Sequence, residues 1–112
     1  MESLENIFKA LSDRNRLRIL KMLEVRPLCN CEVQAILGLA PSTVSKHLSI
    51  LCQIGLIIGQ KQGKWMIYHL PTVAPELHPI QQVLANWGKE DQEIAADKLI
   101  ASQTNNRLNC QG

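Results

Sequence analysis

Apolar residues recur at three- and four-residue spacing over residues 3–11, where Leu4, Ile7, Phe8 and Leu11 share one side of a helix. Ser12 and Asp13 interrupt the pattern. Ser12 is suited to cap a second helix, which carries Leu17, Ile19, Leu20 and Leu23. Pro27 stops that helix. A third, short one runs from about Cys29 to Leu37 and ends at Gly38, with a tight turn over 38–40. A fourth opens at Pro41, a residue suited to the first helical position. Val44, Leu48 and Leu51 fall at i, i+4 and i+7 and face a core, which leaves Ser42, Ser45, Lys46 and Ser49 on the opposite side. Gly55 ends this helix.

The period then changes. LIIGQ and KWMIYHL are short runs rich in Ile, Trp and Tyr, joined around Lys61-Gln62-Gly63, and read as a β-hairpin. Pro71, Pro75 and Pro79 precede a last helical region over about 76–103, interrupted near Gly88. From Thr104 the chain is polar. The order helix, helix, helix, turn, helix, hairpin, helix predicts a mainly α fold with a small β-hairpin, the winged helix-turn-helix. Residues 1–103 form the DNA-binding and dimerisation domain in this reading, and 104–112 a polar C-terminal tail. The fourth helix would enter the DNA major groove, with the hairpin as the wing beside it.

With 112 residues, one domain is expected. So small a core buries a limited share of its surface, so a homodimer is expected, built from the first helix and the last helical region. Leu4, Ile7 and Leu11 would meet Ile80, Val83, Leu84 and Trp87 there. No apolar run reaches the ~18 residues of a membrane span. MESLENIFKA lacks the apolar stretch of a signal peptide. A cytoplasmic protein with no membrane partner is expected, its cysteines at 29, 31, 52 and 110 reduced.

The net charge of +2 matters less than its distribution. Residues 41–70 carry Lys46, Lys61 and Lys64 and no Asp or Glu, as a face that meets a polyanion would. Nothing suggests an enzyme: there is no nucleophile–base–orienter set and no phosphate loop, and the single Tyr and three His are scattered.

Three stretches carry a family resemblance: FKALSDRNRLRILKML, STVSKHLSILCQIGLI and QKQGKWMIYHL. Through them the chain resembles the ArsR/SmtB metal-responsive repressors, and most of all their arsenite- and antimonite-sensing branch. The resemblance implies a DNA-binding transcriptional repressor that binds an inverted-repeat operator in double-stranded DNA as a homodimer. It requires no cofactor, and As(III) or Sb(III) releases it. The branch carries Cys-x-Cys-x-x-Cys at its third helix. Cys29 and Cys31 match the first two positions, but the third is Gln34, a departure from the pattern.

As(III) is thiophilic and takes up to three thiolates, and thiolates select soft metals in general. A helix N-terminus favours the thiolate, so Cys29 and Cys31 are expected to be reactive. Two residues ~200° apart around a helix cannot grip one ion unless the helix start gives way. A third thiolate would come from Cys110, of the same chain or of a partner subunit. Cys52, next to the core position Leu51, reads as a helix-surface or packing residue and not as a ligand. The zinc-sensing branch keeps its site on the last helix. Here Glu76 and His78 lack the second ligand cluster, since Lys89 and Gln92 stand where it would lie.

For DNA, Ser42, Thr43, Ser45, Lys46 and His47 on the fourth helix can reach phosphates or base edges. Lys61, Gln62 and Lys64 on the wing would mostly touch phosphate. Two alternatives stay open: a repressor whose cysteines sense oxidation, and a winged helix that docks on proteins instead of DNA.

Overall fold

The computed structural model describes residues 3–72 and 77–103. The remaining positions, Glu76, the polar tail and Cys110 among them, lie outside the described residues. Helix α1 spans Leu4–Leu11, with Ser3 Oγ accepting from the Asn6 N–H at 3.3 Å. Helix α2 spans Arg14–Leu23. Its cap is Asp13, not Ser12 as the sequence suggested. The Asp13 carboxylate accepts from the N–H groups of Asn15 and Arg16 at 2.8 and 3.1 Å, two of the donors a helix start leaves unpaired. Ser12 instead closes α1, its hydroxyl donating to the Lys9 carbonyl at 3.0 Å.

The expected hairpin is part of a three-stranded antiparallel sheet. β1 (Leu28–Cys29), β2 (Ile58–Gln62) and β3 (Trp65–His69) lie in the order β1-β3-β2. Gln62 pairs with Trp65, so Gly63 and Lys64 alone turn the chain. Gly63 takes φ 63° at the first turn position, the one at which a hairpin II′ turn needs glycine. The two-residue β1 has no alternation to announce it. It exists because Leu28 and Cys29 pair with Tyr68 and Ile67.

Helix α3 (Asn30–Leu37) stops at Gly38 in the left-handed conformation, φ 70°. Helix α4 (Pro41–Gln53) starts three residues later, and the two helices turn 115° at this break. That is the geometry of a helix-turn-helix. Helices α5 (His78–Asn86) and α6 (Gln92–Gln103) replace the single last helical region, broken around Gly88 as its sequence suggested.

One core, with Ile19, Met22, Leu28, Val33, Leu48, Leu51 and Ile57 fully buried, joins α2, α3, α4 and the base of the wing. Cys52 packs against it, as its place beside Leu51 suggested. Helix α6 lies against α2 and α3, held by Arg18–Asp97 at 2.8 Å, Arg14–Asp91 at 2.7 Å and Lys98–Glu24 at 2.9 Å. Among the described residues no single helix is long and apolar enough to cross a membrane.

Candidate DNA interface and thiol site

Helix α4 buries Val44, Leu48 and Leu51 and exposes Ser42, Thr43, Ser45, Lys46 and Ser49. Helical periodicity alone produces this division. The five exposed side chains make no hydrogen bond or ion pair within the described residues, so their donors are available to a ligand. His47 differs. It is half-buried, and its Nδ1 meets Arg16 at 3.1 Å. Lys61, Gln62 and Lys64 are exposed at the tip of the wing. The Lys64 ammonium sits 5.3 Å from the centre of the Trp65 ring, a cation–π distance that holds the side chain over β3. Exposed hydroxyls, amides and ammonium groups on one helix and one hairpin can donate to phosphate oxygens and base acceptors.

Cys29 and Cys31 flank the joint between this interface and the body of the protein. Cys29 is not on the helix. Its backbone is extended (φ −81°, ψ 163°); it ends β1 and caps α3, whereas Cys31 lies in the first helical turn. The two cysteines are therefore not two positions around one helix, and the relation of their sulfurs depends on the strand-to-helix turn. Glu32 closes that turn as a capping box: its Oε1 accepts from the Cys29 N–H at 2.9 Å, and its own N–H faces the Cys29 sulfur. Its Oε2 accepts from Arg26 at 2.7 Å, and Arg26 donates on to the Ala101 carbonyl of α6 at 2.7 Å. Glu32 is fully buried, which a carboxylate tolerates only with such partners.

The expected activation of Cys29 is not found. The residue is fully buried, and burial pushes its thiol pKa up; the Glu32 carboxylate adds to the rise, and the N–H groups facing the sulfur only partly offset it. Cys31 is disulfide-bonded, against the expectation of reduced thiols, whereas Cys29 and Cys52 keep their thiols. Cys29 and Ile67 form a small apolar cluster with Cys31 and Trp65 packed on it, so the pair of cysteines lies against the wing strand β3. No group of three or more His, Cys, Asp or Glu is placed to hold a metal among the described residues.

Sequence reasoning passed over Glu32, Arg26, Arg16 and Trp65. The spacing of Glu32, three residues beyond an N-cap position, was a usable signal. The other three act through contacts between elements that no local pattern encodes.

Comparison with known proteins agrees with this geometry. Residues 13–58 match the family described as bacterial regulatory protein, arsR family. The chain is 32% identical over 111 residues to the arsenical resistance operon repressor of Escherichia coli K12, covering 95% of this chain and 87% of that protein. It is 35% identical over 72 residues to the cadmium resistance transcriptional regulatory protein CadC of Listeria innocua, covering 63% of this chain and 60% of that one. Reduced HlyU from Vibrio cholerae superposes with a TM-score of 0.65 at 25% identity, over 78% of this chain and 86% of that one. The chain belongs to the arsR family, and so is a winged helix-turn-helix transcriptional repressor and not an enzyme.

Proposed function

We propose that this protein binds an inverted-repeat operator as a homodimer and leaves it when As(III) or Sb(III) is held by Cys29 and Cys31. The dimer places two copies of α4 in successive major grooves, with half-site centres about 34–36 Å apart. Ser42, Thr43, Ser45, Lys46 and His47 face the groove, and Lys61, Gln62 and Lys64 track the phosphates.

The observation that carries the inducer reading is the position of Cys29. One residue is at once the end of β1, paired with Ile67 of the wing strand, and the cap of α3, which packs on α4. Once cellular thiols have reduced the disulfide at Cys31, each cysteine thiol can replace one hydroxide of As(III), released as water; drawing both sulfurs onto one centre strains the strand-to-helix turn, from which both proposed DNA-contacting elements hang. A coordinated thiol loses its proton outright, so a raised pKa does not prevent ligation. Two As–S bonds remain if hydroxide fills the third position, and Cys110 is a candidate third thiolate. Moving a population from 1:99 to 99:1 takes a differential affinity of ~10⁴, or ~5.5 kcal/mol. Bonds available only in the distorted state can supply it. The name of the Escherichia coli relative favours an arsenical inducer. The regulator from Listeria innocua is named for cadmium resistance, so the arsenical reading rests on Cys29 and Cys31 and not on family membership.

A second reading is favoured by the disulfide at Cys31. Its oxidation state would itself set the turn, and the cell's thiol balance would be the signal. The two readings separate under anaerobic conditions with all thiols reduced. Arsenite that dissociates the protein from the DNA upstream of its own gene supports the metalloid sensor. Release by mild oxidant alone, with arsenite inert, supports the redox sensor.

A further inference from the structure

Arg16 belongs to α2, but its guanidinium reaches two other elements. Nε donates to the Ala10 carbonyl at 2.6 Å, and the guanidinium also reaches the Lys9 carbonyl at 3.4 Å. Both carbonyls lie in the last turn of α1; that of Lys9 also accepts from Ser12, and the arginine adds a donor to each. A further N–H, 3.9 Å from the Asp13 carboxylate, meets His47 Nδ1 of α4 at 3.1 Å. The Arg16 side chain is only 15% exposed, so this arrangement is packed in place.

A guanidinium can only donate. In this contact His47 Nδ1 therefore accepts, which assigns the ring N–H to Nε2. Across the five-membered ring Nε2 points away from Arg16. It has no hydrogen-bond partner among the described residues and is not fully buried, on a side chain that is itself half-buried. His47 also stands one helical turn beyond exposed Thr43.

We propose that Arg16 is a positioning residue for DNA recognition: braced on the end of α1, it selects the Nε2–H tautomer of His47 and presents that N–H as a donor from the face of α4. Arg16 itself touches no DNA. The acceptor for Nε2–H is a phosphate oxygen or a purine N7 or O6. The inference rests on the reading of α4 as the groove-facing helix. It adds a link from α1, the helix assigned to dimerisation, to the side chain that meets the operator.

Long-range proton–nitrogen NMR on the free full-length protein reports the tautomer, and anisotropy on a duplex from upstream of its own gene reports affinity. In wild type, His47 shows the Nε2–H tautomer. In Arg16→Leu, which keeps much of the side-chain volume, the Nδ1–H form appears and DNA affinity falls about tenfold, the worth of one good hydrogen bond. His47→Ala loses a similar factor, and the double variant loses no more than either alone. The salt slope stays unchanged in Arg16→Leu, because Arg16 touches no DNA and an uncharged N–H donor, even on a phosphate, releases no counterion. Should Arg16→Leu not fold, the His47 amides decide: Gln, whose amide reaches the Nε2 position, retains binding within about threefold, and Asn does not. An Nδ1–H tautomer in wild type, additive losses, or equal binding by the Gln and Asn variants would overturn the proposal. Wild-type protein that binds no upstream duplex would overturn the reading of α4 itself, a result the tautomer measurement keeps distinct.

Discussion

Glu32 is the residue on which the thiol site depends. Its buried carboxylate satisfies the Cys29 N–H and the Arg26 guanidinium together. Breaking a buried ion pair costs about 3–5 kcal/mol when the remaining charge has no other partner, but Arg26 keeps its bonds to the Ala101 and Pro27 carbonyls. Arg26 is 28% exposed, so water recovers part of that. Glu32→Ala is therefore expected to cost about 2–3 kcal/mol in urea unfolding, and a loss under about 1 kcal/mol would show that the pair does not hold the turn. Asp13 behaves differently. Burial alone would raise its pKa, but the N–H groups of Arg16 and Asn15 and the nearby Arg16 charge outweigh burial and lower it. A carboxylate depressed in the folded state stabilises fully above its unfolded pKa, ~3.9, and loses that contribution as pH falls through the folded value. Asp13→Asn keeps a capping side chain but cannot titrate. Its unfolding free energy should fall less steeply below about pH 4 than that of wild type, and identical slopes would contradict the assignment.

The α3–turn–α4 element was legible because its punctuation is local. Gly38 permits the left-handed stop, Pro41 favours the start, and Val44, Leu48 and Leu51 fix which face is buried. What stayed illegible at this scale was the position of Cys29. A two-residue strand has no period, so pairing with Ile67 had to be seen to take that cysteine off the helix. Two lysines test the division of labour between helix and wing. Lys46→Ala should weaken operator binding and alter base preference, because it is exposed on the helix proposed to face the groove. Lys64→Ala should weaken all sequences alike and reduce the salt slope by about 0.9, one phosphate's worth. A change of sequence preference in Lys64→Ala would mean that the wing reads bases.

At the scale of the whole molecule, the expected dimer surface needs redrawing. Ile7 is buried in the protomer's own core, and Leu11, Ile80 and Leu84 pack against it. The apolar side chains left exposed on the same elements are Leu4, Phe8 and Val83, with Leu99 and Ile100 on α6. Leu4 and Phe8 stand one turn apart on α1 and so share a face. Sequence periodicity showed which helices carry surplus apolar surface. It did not show how each helix divides that surface between core and partner, because the division depends on where α2 and α6 press. Phe8→Glu should leave folding intact and shift sedimentation at micromolar concentration from dimer to monomer. A variant that stays dimeric would move the interface away from α1.

The central claim is that the strand-to-helix turn at Cys29 and Cys31 is the switch. It is tested most directly by fluorescence anisotropy of labelled operator, titrated with arsenite under a reductant that does not bind arsenic. Wild type and Cys52→Ser should release DNA fully, and Cys110→Ser should do so at a shifted dose. Cys29→Ser, Cys31→Ser and the double variant should bind as tightly as wild type and stay bound. Full release of the double variant by arsenite would contradict the account and place the sensor elsewhere in the molecule.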